Sequence, residues 1–335
     1  MPYSKPAASA PSSVEKEIAK LRDRINRELI TVFPQTQPKS LYEPARYIIT
    51  GSGKRIRPIL VIIGAKCISN KVDAVMPVAL AVEILHNFTL VHDDIMDKAD
   101  LRHGRETVHK KWDIDTAILS GDVMHAISYQ LITRSKVKNP LPILDLFLSA
   151  TITVCDGQAF DKEFETRHNV TLPEYLTMID YKTGRLISAA LEMGGLAVGA
   201  TSIQAKALRD FGSSIGRAFQ IQDDLLDVMG GEKSGKTVGG DIIEGKKTFL
   251  LLKSLELAKG KDRALLQTVI KEKGIDKSRV PEVKAVFEKC GAVQEAKNAI
   301  ETEYNKALKL ASKLPNKDGR DMLLGLAAYL MKRDY

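Results

Sequence analysis

Two long stretches without proline constrain the fold of this chain more than any other feature of its sequence. They cover residues 78–139 and 174–280, and apolar residues recur within them at helical spacing. In the first stretch, Ile84, Phe88 and Val91 fall on one helical face. Proline interrupts helical hydrogen bonding, so its absence permits long helices. Alternating strand patterns bounded by turns are nearly absent. The sequence therefore predicts an all-α fold, in which two of the expected helices cover residues 76–102 and 246–259.

The composition is that of a globular chain with a substantial core, since 44% of its 335 residues are hydrophobic and 27% are charged. We find no domain linker. We therefore predict a disordered arm over residues 1–13 and a single large helical domain over residues 14–335, with a central cavity between helices. The arm lacks the apolar core of a signal sequence.

Charge and cysteine content narrow the functional classes. The net charge of +8 indicates either a lysine-rich surface or a field that attracts anionic substrates. No basic stretch is interleaved with aromatic residues, so a nucleic-acid partner is not predicted. Charges interrupt each apolar run, which predicts no membrane span. The three cysteines lie far apart and lack metal-binding spacing, which indicates reduced thiols and a cytoplasmic location.

A cluster of three carboxylates stands in the first proline-free stretch, in the predicted helix over residues 76–102. Its members are Asp93, Asp94 and Asp97. Helical spacing stacks Asp97 over Asp93, and like charges at that spacing destabilise an isolated helix by roughly 0.2–0.5 kcal/mol. A solvated acidic face is one explanation. Binding of a hard cation such as Mg²⁺, which prefers carboxylate oxygen, is the other.

The same Asp-Asp-x-x-Asp pattern recurs in the second stretch, as Asp223, Asp224 and Asp227. Both clusters end a mostly apolar helical segment. The recurrence favours metal binding over a chance acidic surface. We predict that the two clusters form opposed walls of one metal site.

Cations in glycine-containing segments flank both acidic clusters. Each could be a solvated charge, but a helix start with free backbone N–H groups and flanking cations suits an anion. Together, metal-binding carboxylates and cations indicate a diphosphate substrate. His86, on nearly the same face as Asp93, is either an anion donor or a core residue. His92, His109, His125 and His168 are interpreted as structural. The cationic and hydroxyl candidates are Lys54, Arg55, Arg57, Arg102, His103, Arg105, Lys182, Thr183, Lys236, Lys246 and Lys247.

From about residue 41 to the C-terminus, these motifs resemble the trans-isoprenyl diphosphate synthases, which include farnesyl and geranylgeranyl diphosphate synthases. The residues 93–97 are similar to the first aspartate-rich motif of that family, and residues 223–227 to the second. The resemblance implies an isoprenoid synthase-like helical bundle, a homodimer, and three Mg²⁺ held by the six aspartates. The implied reaction is head-to-tail condensation of an allylic diphosphate with isopentenyl diphosphate.

The resemblance also implies roles for individual residues. Lys54, Arg55 and His86 match groups that bind isopentenyl diphosphate, and Arg102 matches an arginine that binds the allylic diphosphate. The catalytic set comprises Asp93 and Asp223 together with three groups that contact the leaving diphosphate or stabilise the carbocation, namely Lys182, Thr183 and Gln220. Lys236 and Lys246 match lysines that reach the allylic diphosphate. Gln158 and Asp161 are interpreted as supporting partners or surface residues.

One position departs from the family pattern. His103 stands where the family commonly has a second arginine that helps to bind isopentenyl diphosphate. Histidine is only partly charged at neutral pH and lacks the planar fork of arginine. Weaker binding of isopentenyl diphosphate is expected, unless Arg105 compensates.

Product length is predicted from the residues before the first motif. Thr89 lies one turn, about 5.4 Å, from Asp93 and leaves room for a growing chain, whereas Phe88 and Leu85 are placed to close the tunnel. Phe88 could instead only pack the core. By family resemblance, an aromatic residue followed by a small one suggests geranylgeranyl diphosphate as product, with farnesyl diphosphate next. The alternatives are a longer-chain synthase, a class I terpene cyclase and an inactive regulatory subunit.

Overall fold

The computed structural model describes residues 13–230 and 239–331, and this part of the chain is almost entirely helical, which confirms the all-α prediction. The first helices are α1 (Ser13–Ile30), α2 (Lys39–Ile49), α3 (Ile56–Lys66), α4 (Met76–Met96), α5 (Val108–Lys111), α6 (Ile114–Thr133), α7 (Leu141–Thr166) and α8 (Leu172–Ile179). They are followed by α9 (Arg185–Ala197), α10 (Ser202–Met229), α11 (Gly240–Ile243), α12 (Phe249–Leu257), α13 (Gly260–Lys271), α14 (Val280–Lys289), α15 (Ala292–Ala311) and α16 (Lys317–Met331). Short 3₁₀ turns cover Asp73–Val75 and Lys277–Arg279, and a π turn covers Asp180–Gly184.

The contacts divide the chain into two compact units. The first comprises the chain up to Leu148, Ala190–Lys206 and Leu314–Leu326. The second comprises Ser149–Ala189, Ala207–Lys313 and the chain from Ala327. A single domain over residues 14–335 stays a prediction, and the predicted arm lies almost wholly outside the described residues.

The first unit is built around α4, which packs along α6 and against α3. Pro77 stands in the first turn of α4, where its missing N–H is no loss. Helix α3 meets the last part of α9 at two glycines. A Cβ atom on Gly194 would lie 1.9 Å from the Val61 carbonyl oxygen, and one on Gly64 would lie 2.3 Å from the Leu191 carbonyl oxygen. Only glycine permits this approach of the two backbones.

Helix α4 ends at Met96, so the predicted helix over residues 76–102 is too long. Lys98 takes the left-handed conformation, with φ of 52°. Its N–H bonds to the Ile95 carbonyl at 3.2 Å, and the Ala99 N–H bonds to the Asp94 carbonyl at 3.0 Å. This is a Schellman motif, which usually has glycine where Lys98 stands. Because lysine stands where glycine is usual, the sequence did not indicate that the helix ends here.

A two-stranded hairpin follows, which the sequence did not predict. Strands β1 (Leu101–Arg102) and β2 (Arg105–Glu106) pair antiparallel, with Arg102 opposite Arg105. The two residues between them, His103 and Gly104, have φ of 51° and 75°. Two consecutive positive φ values are the signature of a type I′ hairpin turn. Histidine is one of the few side chains enriched in this conformation.

The second unit has its own core, to which Tyr175, Leu225, Leu250 and Phe287 contribute. Helix α12 begins at Phe249 rather than at residue 246, because the Thr248 hydroxyl accepts the Leu251 N–H at 3.4 Å and caps the helix there.

Among residues 13–230 and 239–331, two helices are long and apolar enough to cross a membrane, judged by length and composition alone. They are Asp73–Met96 and Leu141–Thr166, whose most apolar windows are 72% and 33% buried. Charged residues such as Glu83 do interrupt these runs, but the runs still have the length and composition of a membrane span. A mostly buried core helix passes the same test, which fits the first of them, and the lack of a membrane span stays a prediction.

Candidate active site

The first acidic motif lies at the C-terminal end of α4, where the hairpin folds against it. Arg102 Nε donates to Asp94 Oδ1 at 2.6 Å, and Arg102 Nη2 lies 3.5 Å from Asp93 Oδ2. Burial raises the pKa of Asp94, although the charge of Arg102 opposes that rise. The residue predicted to bind the allylic diphosphate thus lies beside two predicted metal ligands. The third, Asp97, is exposed at the helix end.

Arg105 anchors the hairpin through a contact with Tyr47. Its guanidinium carbon lies 3.9 Å from the centre of the Tyr47 ring, a cation–π contact. The Tyr47 hydroxyl donates to the Glu106 carbonyl at 2.9 Å. His103 is exposed at the tip of the turn. That Arg105 compensates for His103 stays a prediction.

Arg55 does not fit its predicted role as a substrate contact. Its side chain is 5% exposed and donates to Glu83 at 2.7 Å. Further bonds run to the Asn26 side chain at 2.9 Å and to the carbonyls of Ile49 and Gly51, each at 2.7 Å. Because all three of its guanidinium nitrogens donate hydrogen bonds inside the protein, Arg55 stabilises the glycine turn. The family resemblance could not show whether Arg55 or Arg57, two residues later, contacts the substrate.

Arg57 was a candidate cation in the sequence, but the family resemblance gave it no role in substrate binding. Its Nη1 lies 2.9 Å from His86 Nε2. Its Nε is buried without a hydrogen-bond partner among the described residues. Burial lowers the pKa of Arg57, while the charge of Glu83 raises it. A desolvated cation with an unused donor suits an anionic ligand.

His86 is neutral in this setting. Burial lowers its pKa well below the usual range, and the positive charges of Arg57, Arg102, His103 and Arg55 lower it further. Because a guanidinium only donates hydrogen bonds, His86 Nε2 must accept from Arg57, which places the imidazole proton on Nδ1. His86 therefore orients Arg57 and leaves Nδ1–H as a donor. Lys54, the other predicted clamp residue, is exposed on the glycine turn.

In the second acidic motif, Asp224 is buried and surrounded by donors. It accepts from the Tyr175 hydroxyl, from the Phe249 N–H at 2.8 Å and from Gln220 Nε2 at 3.3 Å. Burial and the charge of Asp241 raise its pKa to about 7, although these hydrogen bonds act in the opposite direction. Asp224 thus ties the motif to α8 and to the start of α12.

Asp227 is linked to a further carboxylate that the sequence analysis did not propose. Its Oδ2 accepts the Asp241 N–H at 3.0 Å, and its carbonyl accepts the Gly239 N–H at 2.7 Å. Burial and the charge of Asp227 raise the pKa of Asp241 to about 6. Lys246 lies 3.6 Å from Asp241 and 2.9 Å from Glu244. Asp241 ends a glycine-rich stretch of the sequence, and that stretch is the sequence feature that could have pointed to this carboxylate. Lys236, a predicted allylic contact, lies outside the described residues.

The residues predicted to contact the leaving diphosphate are brought together on the π turn and α10. The Thr183 hydroxyl donates to Gln220 Oε1 at 3.2 Å, and Gln220 in turn donates to Asp224. Lys182 Nζ lies 2.5 Å from Asp161 Oδ2. This chain of bonds fixes the amide orientation of Gln220 beside the second motif. Asp161 is thus a partner of Lys182, one of the two roles that the sequence suggested.

Phe88, one of the three residues predicted to set product length, belongs to an aromatic group on α4 and α6. The rings of Phe88 and His125 stack with centroids 4.5 Å apart and planes 8° apart, and His92 meets Phe88 edge-on at 4.7 Å. His125 also lies against Tyr129, with ring centroids 4.6 Å apart. Leu85 is fully buried, whereas Thr89 is half-buried. Phe88 was predicted from the sequence, whereas His92 and His125 were interpreted as structural residues.

The donors of both motifs are carboxylate oxygens only, which is the set that Mg²⁺ and Ca²⁺ prefer. Within the described ranges, no three Asp, Glu, His or Cys side chains converge as a metal site by themselves. Mg²⁺ usually takes one or two protein carboxylates and completes its shell with water and substrate phosphate. The residues of each motif therefore fit a Mg²⁺ ion that arrives with a diphosphate.

Comparison with known proteins gives concordant matches. A family model for polyprenyl synthetase matches residues 38–289. A geranylgeranyl diphosphate synthase of Methanosarcina mazei is 36% identical, over 95% of this chain and 98% of that protein. A geranylfarnesyl diphosphate synthase of Natronomonas pharaonis is 32% identical, over 96% and 98%. The crystal structure of geranylgeranyl pyrophosphate synthetase from Pyrococcus horikoshii superposes with a TM-score of 0.90, at 34% identity and with 96% and 98% covered.

Proposed function

Because the chain belongs to the polyprenyl synthetase family, we propose that it condenses an allylic diphosphate with isopentenyl diphosphate, head to tail, into a short-chain all-trans prenyl diphosphate. Family membership confirms the resemblance and the enzyme class, prenyltransferase, that the sequence motifs predicted. The observation that carries the proposal is a group of cations around the neutral His86, near the first acidic motif. Arg57 lies 2.9 Å from His86, and Arg102, which donates to Asp94 at 2.6 Å, is close enough to lower the pKa of His86. Such a group can bind a second diphosphate beside the one that the metal-binding carboxylates serve.

We assign three Mg²⁺ to the carboxylates of the two motifs. When bound, Mg²⁺ supplies positive charge that weakens the C–O bond of the allylic diphosphate. Within the motifs, Asp94 is bonded to Arg102 and Asp224 to Tyr175. These bonds hold each motif in place, and all six aspartates are the proposed ligands.

The protein groups act by binding and orienting the substrates. Arg57, aligned by the neutral His86, and Lys54 bind isopentenyl diphosphate. Arg102 binds the allylic diphosphate beside the first motif. Lys182, Thr183 and Gln220 stabilise the departing diphosphate and the positive charge that develops on the allyl group. Preorganised donors of this kind contribute several kcal/mol to transition-state stabilisation.

The competing function is a class I terpene cyclase, which ionises an allylic diphosphate without a second substrate. Diphosphate release from purified protein and Mg²⁺ separates the two. We expect release only when farnesyl diphosphate and isopentenyl diphosphate are both present. Release from farnesyl diphosphate alone, at a comparable rate, would reject the synthase.

Product length should depend on the aromatic group around Phe88. Phe88 precedes Thr89 on α4 and is stacked on His125, so we expect its removal to open space next to Thr89. Phe88→Ala is expected to shift the main product from geranylgeranyl diphosphate to longer chains, and Thr89→Phe to farnesyl diphosphate, as sized by chromatography. Phe287→Leu, in the core of the other unit, is the control and should leave the distribution unchanged. Unchanged products in Phe88→Ala would show that this group does not limit the chain.

A homodimer is supported by an exposed apolar stripe on α7. Leu141, Leu148 and Ile152 fall on one helical face and are 70%, 40% and 64% exposed. Such a stripe on a soluble protein usually covers an interface. We expect sedimentation to show twice the 36.9 kDa chain mass, and Ile152→Glu to yield the single chain. Ile203→Glu, at an exposed position on α10, should remain dimeric. A wild-type protein that sediments as a single chain at micromolar concentration would contradict the dimer.

A further inference from the structure

Lys182 and Thr183 lie in the five-residue π turn Asp180–Gly184. In this turn the Arg185 N–H bonds to the Asp180 carbonyl, five residues back instead of four. Such turns are rare and are found mostly at functional sites. The additional residue changes the directions of the side chains within the turn, and it rotates those that follow by about 100° relative to a regular α-helix. The directions of Lys182 and Thr183 therefore depend on whether the turn is maintained.

Two glycines let neighbouring helices hold the turn closely. A Cβ atom on Gly157 of α7 would lie 2.3 Å from the Lys182 backbone nitrogen. A Cβ atom on Gly216 of α10 would lie 2.8 Å from the Gly184 Cα atom. These contacts fix the backbone of the turn, but they do not restrain its first residue, Asp180, through a polar contact.

That restraint comes from Arg217, the residue after Gly216. Its Nε donates to Asp180 Oδ1 at 3.1 Å, and its Nη2 donates to Asp180 Oδ2, so the pair is bidentate. Its third nitrogen, Nη1, donates to Glu303 of α15 at 2.8 Å. Hydrogen bonding to Asp180 raises the pKa of Arg217, as expected for a cation held between two carboxylates. Asp180 is thus bound through its carbonyl by the turn and through its carboxylate by α10.

We propose that Arg217 is a positioning residue for catalysis. By fixing Asp180, with Glu303 holding the guanidinium from the opposite side, it maintains the π turn and hence the directions of Lys182 and Thr183. The bidentate fork matters because a lysine could bond to one carboxylate oxygen but could not fix its plane. This inference rests on the proposed function, in which Lys182 and Thr183 contact the leaving diphosphate.

The first test compares kcat with KM. Arg217→Gln is expected to lower kcat about tenfold, because small displacements of positioned groups are costly for rate. The KM for isopentenyl diphosphate should stay within about twofold, since Lys54, Arg57 and His86 are untouched. Arg217→Lys should recover only part of the loss. Arg279→Gln is the matched control, because it breaks an exposed arginine–glutamate pair, at 3.0 Å, in the same unit. Its kcat should not change.

A second test asks whether Arg217 acts through the turn. In a Lys182→Ala, Thr183→Ala background, adding Arg217→Gln should lower kcat by less than about twofold, because non-additivity marks shared action. An undiminished tenfold loss in that background would overturn the inference. So would a wild-type kcat in both Arg217→Gln and Asp180→Asn, the latter being an isosteric variant suited to the case where Arg217→Gln fails to fold. A wild-type kcat in the Lys182→Ala, Thr183→Ala protein would instead reject the proposed site.

Discussion

Asp93→Ala and Asp223→Ala are each expected to lower turnover by at least about a hundredfold, roughly 3 kcal/mol in the barrier, at saturating Mg²⁺. The reason is that both acidic motifs serve the same metal-dependent reaction, so neither replaces the other. Steady-state kinetics and circular dichroism on each variant would measure the loss and verify the fold.

Matched controls are available in both units. Asp100→Ala removes an exposed carboxylate paired with Lys110 at 2.8 Å, and Asp262→Ala removes one paired with Lys289 at 2.7 Å. Both should retain turnover within about twofold. A near-wild-type rate in either Asp93→Ala or Asp223→Ala would show that the two motifs do not serve one reaction.

Arg55 and Arg57 should respond in opposite ways to replacement by alanine. Arg57→Ala removes a charged donor from the proposed isopentenyl diphosphate site, which is worth roughly 2 kcal/mol, and is expected to raise that KM about thirtyfold. Arg55→Ala breaks an ion pair whose two side chains are each 5% exposed. Leaving Glu83 buried and unpaired should lower the free energy of unfolding by roughly 3–5 kcal/mol.

Urea unfolding and substrate titration of both variants would separate these effects. An Arg55→Ala protein of wild-type stability with the larger rise in KM would restore Arg55 as the substrate contact. A large loss of stability in Arg57→Ala, with an unchanged KM, would likewise contradict the role of Arg57 as a contact to isopentenyl diphosphate.

Sequence patterns predicted the helical fold well because apolar periodicity and missing prolines act over many residues. They failed where a single residue adopts a less common conformation. Lys98 ends α4 in a position that usually requires glycine, and the I′ turn at His103 and Gly104 forms a hairpin too short to show alternation. The helix end at Lys98 and the hairpin turn change neither the composition of the chain nor its apolar periodicity. A sequence pattern therefore reveals neither of them.

Candidate residues were found where the chemistry lies within one motif and were missed where it depends on tertiary contacts. Arg55 and Arg57 look equivalent along the sequence, and only burial against Glu83 separates them. His125 is distant from Phe88 in sequence, and its stacking could not be inferred. Arg217 had no role at all until Asp180 was seen beside it.

The most direct test of the central claim is the product formed from radiolabelled isopentenyl diphosphate and farnesyl diphosphate with Mg²⁺. The account predicts geranylgeranyl diphosphate as the main product, separated by reversed-phase chromatography after removal of the phosphates, and no product when Mg²⁺ is chelated. Failure to extend any allylic primer, or turnover that persists without divalent metal, would contradict it.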